Sequence, residues 1–275
     1  MAALLALVAA LLWGLGGFLG GQASRRAALI PVLAVELLVG TIVIIPLAFL
    51  TAHRFAWVDL LIGGAAGFFG LLGVTFLYRG LRGPMAAVAP VAGVVSAALP
   101  LLWGVGFGER LSAWQIYGVI LGLMSIVLIS DTGRALHRIS LGPLVNGVLA
   151  GAGFGAGYIV LDATDPLTAP WPILGARLLP ALAVCAVAFA AHQPPSAVGP
   201  ARLWSVGAGI STVLASVAFL AAINRGLLST SSVLSCLHPA VTVLLARLFL
   251  RERMSPSQAT GLTVAVAAIS MITAG

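Results

Sequence analysis

The chain has 275 residues, 61% of them hydrophobic and 8% charged, with a mean hydropathy of +1.14 and a formal net charge of +7. A soluble domain carries about 25% charged residues, so this composition excludes one. It also removes the nucleic-acid reading of a basic chain: all fourteen cationic side chains are Arg, and nearly all stand singly or in pairs at the ends of apolar stretches, where they meet lipid headgroups.

A bilayer core about 30 Å thick needs about 20 apolar residues per helix. Ten such stretches follow one another with short connections: Ala2 to Gly20, Leu29 to Leu50, Val58 to Gly80, Met85 to Phe107, Ala113 to Ser130, Leu141 to Leu161, Trp171 to Ala191, Leu203 to Ile223, Ser231 to Leu250, and Ser257 to Ala274. The first could pass for a secretory leader, but it lacks a basic leading region and its Gly-rich core is long, so it reads as the first membrane helix. The expected fold is an all-α membrane protein of ten transmembrane helices. Small residues recur four apart at Gly16 and Gly20, Gly63 and Gly67, Gly118 and Gly122, and Gly147, Gly151 and Gly155, a spacing that lets helix backbones approach closely.

The pattern is written twice. Trp13-Gly14 aligns with Phe154-Gly155, Pro31 with Pro172, Glu36 with Arg177, and Leu37-Leu38 with Leu178-Leu179. Further on, Tyr78-Arg79-Gly80-Leu81 aligns with Asn224-Arg225-Gly226-Leu227. Glu109-Arg110-Leu111-Ser112 falls on Glu252-Arg253-Met254-Ser255, with Gln115 on Gln258 and Gly118 on Gly261. The repeats are expected over residues 1–133 and 134–275. Five helices is an odd number, so the second unit enters the membrane from the opposite side. Such inverted repeats place a site near the midplane and relate two states by exchanging the conformations of the halves.

These residues resemble the drug/metabolite transporter superfamily, and within it the EamA-type transporters, over essentially the whole chain. The most specific feature is the end of each half. The second reads HPAVTVLLARLFLRERMSPSQATG, with Pro239 and Glu252 in the family's places; the first reads GFGERLSAWQIYG, with Ser96 where the proline would stand and Pro90 and Pro100 flanking it. The resemblance implies a secondary active or facilitative transporter that exports small metabolites, amino acids or drugs by alternating access. It further implies a multi-pass protein of the bacterial plasma membrane, a monomer or homodimer, with a small-molecule substrate, protons as a candidate coupling ion and no cofactor. Helices 1 to 4 and 6 to 9 would ring a central cavity, with helices 5 and 10 at its periphery.

Glu36 and Arg177 are the two charges well inside predicted spans, at equivalent repeat positions and of opposite sign. An ionisable group at that depth costs at least about 2.5 to 3.5 kcal/mol on insertion scales, so it faces a partner or a watery cavity. One reading has Arg177 hold a substrate anion while Glu36 takes an amine or a proton. The other has the two form a structural ion pair between the halves, or snorkel to nearby water. A zwitterion such as an amino acid would suit the pair. A second group of candidate substrate contacts is Trp13, Tyr78, Ser96, Tyr158, Asn224 and His238, read as lying near helix ends; interfacial anchoring is the competing reading for the aromatics. His238 adjoins Pro239, whose kink frees a carbonyl, and stands with Glu36 as a candidate proton site. Ser229-Thr230-Ser231-Ser232 reads as a helix-capping run, whose helix end would otherwise offer its dipole to an anion.

The competing class is an intramembrane enzyme acting on a lipid-linked or diphosphate substrate. Its candidates are Asp162 and Asp165, a lone DxxD that is read more simply as a solvated turn before Pro166, and a Ser211/His238 pair that no motif ties together. Seven acidic residues scattered over the chain make a two-metal site unexpected. Cys185 and Cys236 lie in separate spans and suggest neither a disulfide nor a metal site. The arginines disagree with the orientation that the resemblance implies. With cytoplasmic termini, Arg54, Arg110 and Arg225 fall inside, and Arg25, Arg26, Arg79, Arg82, Arg134, Arg138, Arg202, Arg247, Arg251 and Arg253 outside. The positive-inside rule alone asks for the reverse.

Overall fold

A computed structural model of the chain describes residues 1–81, 85–129, 141–250 and 255–275. The described chain runs through α1 (Ala2–Ser24), α2 (Leu29–Thr51), α3 (Trp57–Leu81), α4 (Met85–Gly106), α5 (Ala113–Ile129), α6 (Leu141–Asp162), α7 (Trp171–Ala190), α8 (Arg202–Ile223), α9 (Leu228–Ser235), α10 (His238–Leu250) and α11 (Pro256–Ala274). Among the described residues, eight spans are long and apolar enough to cross a membrane, and α4 and α5 supply two shorter apolar stretches. Large apolar side chains cover the outer surface where lipid would lie: on α2, Ile42, Ile45 and Phe49 share one exposed face.

The ninth predicted span is two helices rather than one. Pro239 has no N–H, and its ring excludes the carbonyl four residues back, which belongs to Ser235, the last residue of α9. His238 Nδ1 donates to that freed carbonyl at 3.3 Å. In the first half Ser96 takes the equivalent place, and α4 runs unbroken past it with the Ser96 hydroxyl bonded back to the Gly93 carbonyl at 2.9 Å. The repeat is thus asymmetric where one residue dictates it.

Elsewhere the two halves pack as mates across a pseudo-two-fold axis. α1 lies on α8 as α3 lies on α6; α2 meets α8 as α7 meets α3; α4 rests on α6 as α9 and α10 rest on α1. Side chains repeat the relation. A methyl group on Gly118 of α5 would meet Ile272 of α11 at 2.7 Å, and one on Gly261 of α11 would meet Ile129 of α5, also at 2.7 Å. Gly16 faces Thr212 as its mate Gly157 faces Ala66. The repeated Ser-x-x-Gln has a local cause: Ser112 with Gln115 and Ser255 with Gln258 are capping boxes, each serine accepting from the glutamine N–H at 3.2 Å and each glutamine side chain accepting from the serine N–H at 2.9 and 3.0 Å.

Ten crossings bring both ends of the chain to one side of the bundle, called here the termini face. On that side an apolar cluster knits the C-terminal turns of α2 (Ile44, Ala48), α6 (Leu161) and α8 (Phe219, Leu220, Ile223) to the N-terminal turns of α3 (Leu60), α7 (Trp171, Ile173, Leu174) and α9 (Leu228). The opposite face has a smaller cluster, Ala23, Val32, Val198 and Ala201.

Candidate functional site

A cavity of ≈ 450 Å³ lies between the halves, walled by α1, α2, α3, α4, α6, α7, α8 and the start of α10. α5 and α11 pack on each other and contribute nothing to it. Glycines shape its bore: Gly17, Gly20 and Gly21 on α1 and Gly70 on α3 leave open space where side chains would stand, while Gly16, Gly67 and Gly157 line it where neighbouring helices touch closely. The lining extends along α1 to Gly21 and along α3 to Leu77, both toward the face opposite the termini, and Gly17 and Gly21 are exposed there.

Both intramembrane charges reach this cavity, and they do not touch. Among the described residues the direct ion pair is Arg54–Asp165, at 2.8 Å on the termini face. Glu36 and Arg177 instead both bond to one turn of α8. Thr212 Oγ1 donates to Glu36 Oε1 at 3.1 Å. Arg177 Nη2 donates to the Thr212 carbonyl at 2.7 Å and to Ser216 Oγ at 2.8 Å, while Ser216 Oγ donates to that same carbonyl at 2.9 Å. The structural alternative of a direct Glu36–Arg177 pair is therefore corrected to a bridge through α8. Gly209 makes it geometrically possible, because its missing side chain lets α8 lie against the Glu36 carbonyl. The guanidinium stem crosses Gly40 of α2, where a methyl group would stand 3.3 Å from Arg177 Cδ.

The cavity has unequal sides. Thr212 and Ser216 on α8 correspond, at the spacing that aligns Tyr78 with Asn224, to Ala66 and Gly70 on α3. One wall is polar and charged, and its mate is small and apolar, continued by Leu71, Val74 and Phe154. An ion-bearing head and an apolar body would each find a complementary surface.

Trp13, Ser96, Tyr158 and His238 also line the cavity. Trp13 is not near a helix end, since α1 continues to Ser24 and places it mid-helix. It stacks on Tyr158 with ring centroids 5.5 Å apart, and both pack on Phe219, at 5.4 and 4.6 Å. These three rings form the floor of the cavity toward the termini face. Ser96 Oγ stands 3.5 Å from Cys236 Sγ. Asn224 lies outside the lining, at the C-terminal end of α8. Tyr78 belongs to α3, with its side chain outside the described residues.

The other residues singled out in the sequence have partners of their own. Asp165 caps the short 3-10 turn Pro166–Thr168, accepting from the Leu167 N–H at 2.9 Å, besides pairing with Arg54. Ser211 Oγ donates to the Leu12 carbonyl at 2.7 Å and is not directed at His238. The hydroxyl run does not cap α9; Ser229 and Ser232 donate to the carbonyls of Leu101 and Ser229. The cap is Glu109, whose two carboxylate oxygens accept from the N–H groups of Leu228 (2.6 Å) and Ser229 (3.0 Å). That carboxylate ties the α4–α5 turn of the first repeat to α9 of the second and closes the termini face. Glu109→Ala, which removes both charge-assisted bonds, is expected to destabilise the protein by about 2 kcal/mol, read as a lower midpoint of thermal unfolding in detergent; an unchanged midpoint would rule the latch out.

Sequence reasoning did not single out Thr212, Ser216, Phe154 or Glu109 as site or gate residues. The signals were there: Thr212 and Ser216 are one turn apart on a face that also carries Gly209, and Phe154 is the repeat mate of Trp13.

An all-helical membrane bundle of two inverted five-helix repeats around a central cavity is the class that this geometry defines. The EamA-like transporter family model matches residues 1–131 and again 142–274. The chain belongs to that family and is a multi-pass membrane transporter of the drug/metabolite transporter superfamily. A crystal structure of a protein 21% identical superposes with a TM-score of 0.74 over 99% of this chain and 96% of that one, which supports the fold. No curated protein sequence matches the chain.

Proposed function

We propose that the chain carries a small amphipathic metabolite with a charged head, of which an amino acid is the simplest example, by alternating access in the direction of export. The observation that carries this reading is the asymmetry of the cavity: Glu36, Thr212, Ser216 and Arg177 on one wall, and Ala66, Gly70 and Phe154 opposite. The arginine presents a planar fork of donors to a carboxylate or similar anion. Glu36 offers the complementary charge to an amine. Access comes from one face at a time, because the rings of Trp13, Tyr158 and Phe219 close the floor while the glycine-lined bore leads the other way. Exchange of the two repeats' conformations would move the closure to the opposite face. The test is saturable uptake by proteoliposomes across a panel of labelled amino acids, sugars and cationic drugs. Saturable flux of a zwitterionic or anionic amphiphile supports the reading, and flux confined to sugars or to cations contradicts it.

A further inference from the structure

The helix boundaries turn an ambiguous arginine count into a topological assignment. The count carries weight only if no crossing has been missed and the arginines sit at helix ends or in connections. The described helices meet both conditions: ten crossings occur in the expected order, with α9 and α10 together making one of them. Arg25, Arg26 and Arg202 stand exposed where α1 ends and α8 begins, and Arg79 and Arg247 lie in the last turns of α3 and α10. Arg82, Arg134, Arg138, Arg251 and Arg253 lie outside the described residues; by sequence order alone they fall between crossings three and four, five and six, and nine and ten, which all turn on that side. The termini face receives Arg54, Arg110 and Arg225.

The acidic residues sharpen the contrast. Asp59, Glu109, Asp162 and Asp165 are on the termini face; of the remaining acidic residues outside the spans, Asp131 and Glu252 lie outside the described residues and fall by sequence order in connections of the other side. Two of the three termini-face arginines are engaged locally, Arg54 by Asp165 at 2.8 Å and Arg225 by the Ala221 carbonyl at 3.0 Å. On the opposite face, Arg26 lies 4.9 Å over the ring of Trp204 and donates to the Gln22 carbonyl at 2.7 Å, an aromatic and cationic pair of the kind that sits at headgroup level. Every connection is short, which is the regime in which arginine placement decides orientation. The anionic inner leaflet and the membrane potential hold such arginines on the cytoplasmic side.

We propose that the arginine-bearing face is cytoplasmic and that residues 1 and 275 both lie on the far side of the membrane, the reverse of the orientation that the family resemblance implies. The assignment does not depend on what is carried. The cavity then opens to the cytoplasm in this structure, and the Glu109 latch and the aromatic floor seal it from outside. For an exporter this is the loading state.

The experiment is labelling by a membrane-impermeant maleimide in intact cells, in a Cys185→Ala, Cys236→Ala background. Ala274→Cys and Ala163→Cys report the termini face, and Ser196→Cys reports the other; all three positions are exposed. The first two are expected to label in intact cells, and Ser196→Cys only after permeabilisation. The reverse pattern overturns the proposal, and so does partial labelling of both faces, which would mean two coexisting orientations. If the cysteine-free background fails to fold, a reporter enzyme active only outside the cytoplasm, fused after Gly275 of the unaltered chain, gives the same decision: activity supports the proposal and silence overturns it.

Discussion

Arg177→Gln is expected to lower substrate affinity by about 10- to 100-fold, with the protein still folded. The guanidinium is the cationic group within the described cavity lining, and hydrogen bonds to charged groups contribute about 1.5–3 kcal/mol. Each 1.4 kcal/mol is a factor of ten, so losing one such bond to a substrate anion raises KM by that margin. Arg177→Lys keeps the charge but loses the fork that spans the Thr212 carbonyl and Ser216 Oγ, and is expected to fall between the two. The structural alternative predicts another signature. If Arg177 only braces α8, both variants lower the thermal midpoint and leave the KM of the remaining folded protein unchanged. Measuring KM and unfolding on the same preparations separates the two.

Gly175→Leu is expected to abolish folding. α3 and α7 touch backbone to backbone: a methyl group on Gly175 would strike the Leu60 carbonyl, one on Gly63 the Pro172 carbonyl, and one on Gly67 the Ala176 carbonyl. Backbone cannot rotate away as a flexible side chain can. Even Gly175→Ala therefore separates the helices, at a cost of about 1–3 kcal/mol, and a leucine costs at least about 3 kcal/mol. The contact joins the two repeats, so its loss also displaces Arg177, half a turn further along α7. Gly142→Ala is the control, since a methyl group there meets nothing within 4 Å. Its unfolding midpoint is expected to stay level or rise slightly, because alanine favours helix over glycine. Thermal unfolding in detergent reads all three; equal midpoints for Gly175→Ala and Gly142→Ala would contradict the packing account.

The helices were legible because lipid imposes a minimum length on every apolar run, and their predicted ends fall within a few residues of the observed ones. The repeat was legible because its signatures are physical devices, above all the two Ser-x-x-Gln capping boxes. The break before Pro239 was legible as a kink, and the missing N–H explains why α9 stops at Ser235 while α4 continues past Ser96. Less legible was what each charged group touches. Sequence pairs Glu36 with Arg177 by symmetry and opposite sign, but their shared bonding to one turn of α8 depends on the close approach at Gly209, which spacing does not reveal. Glu109 stood out as part of a repeated motif, yet its role as the cap of a helix in the other repeat is a long-range fact that no local pattern encodes. Asn224 aligned with Tyr78 but sits at a helix end away from the cavity, because repeat equivalence fixes fold position and not exposure to the bore.

The central claim, that the α2–α7–α8 wall is where a charged substrate head binds, is tested most directly by proteoliposome counterflow of a labelled neutral amino acid at two pH values, comparing wild type with Glu36→Gln and Arg177→Gln. The account predicts saturable counterflow by the wild type, loss of affinity in Arg177→Gln and impaired exchange in Glu36→Gln, with both variants folded. Normal transport by both variants would contradict it.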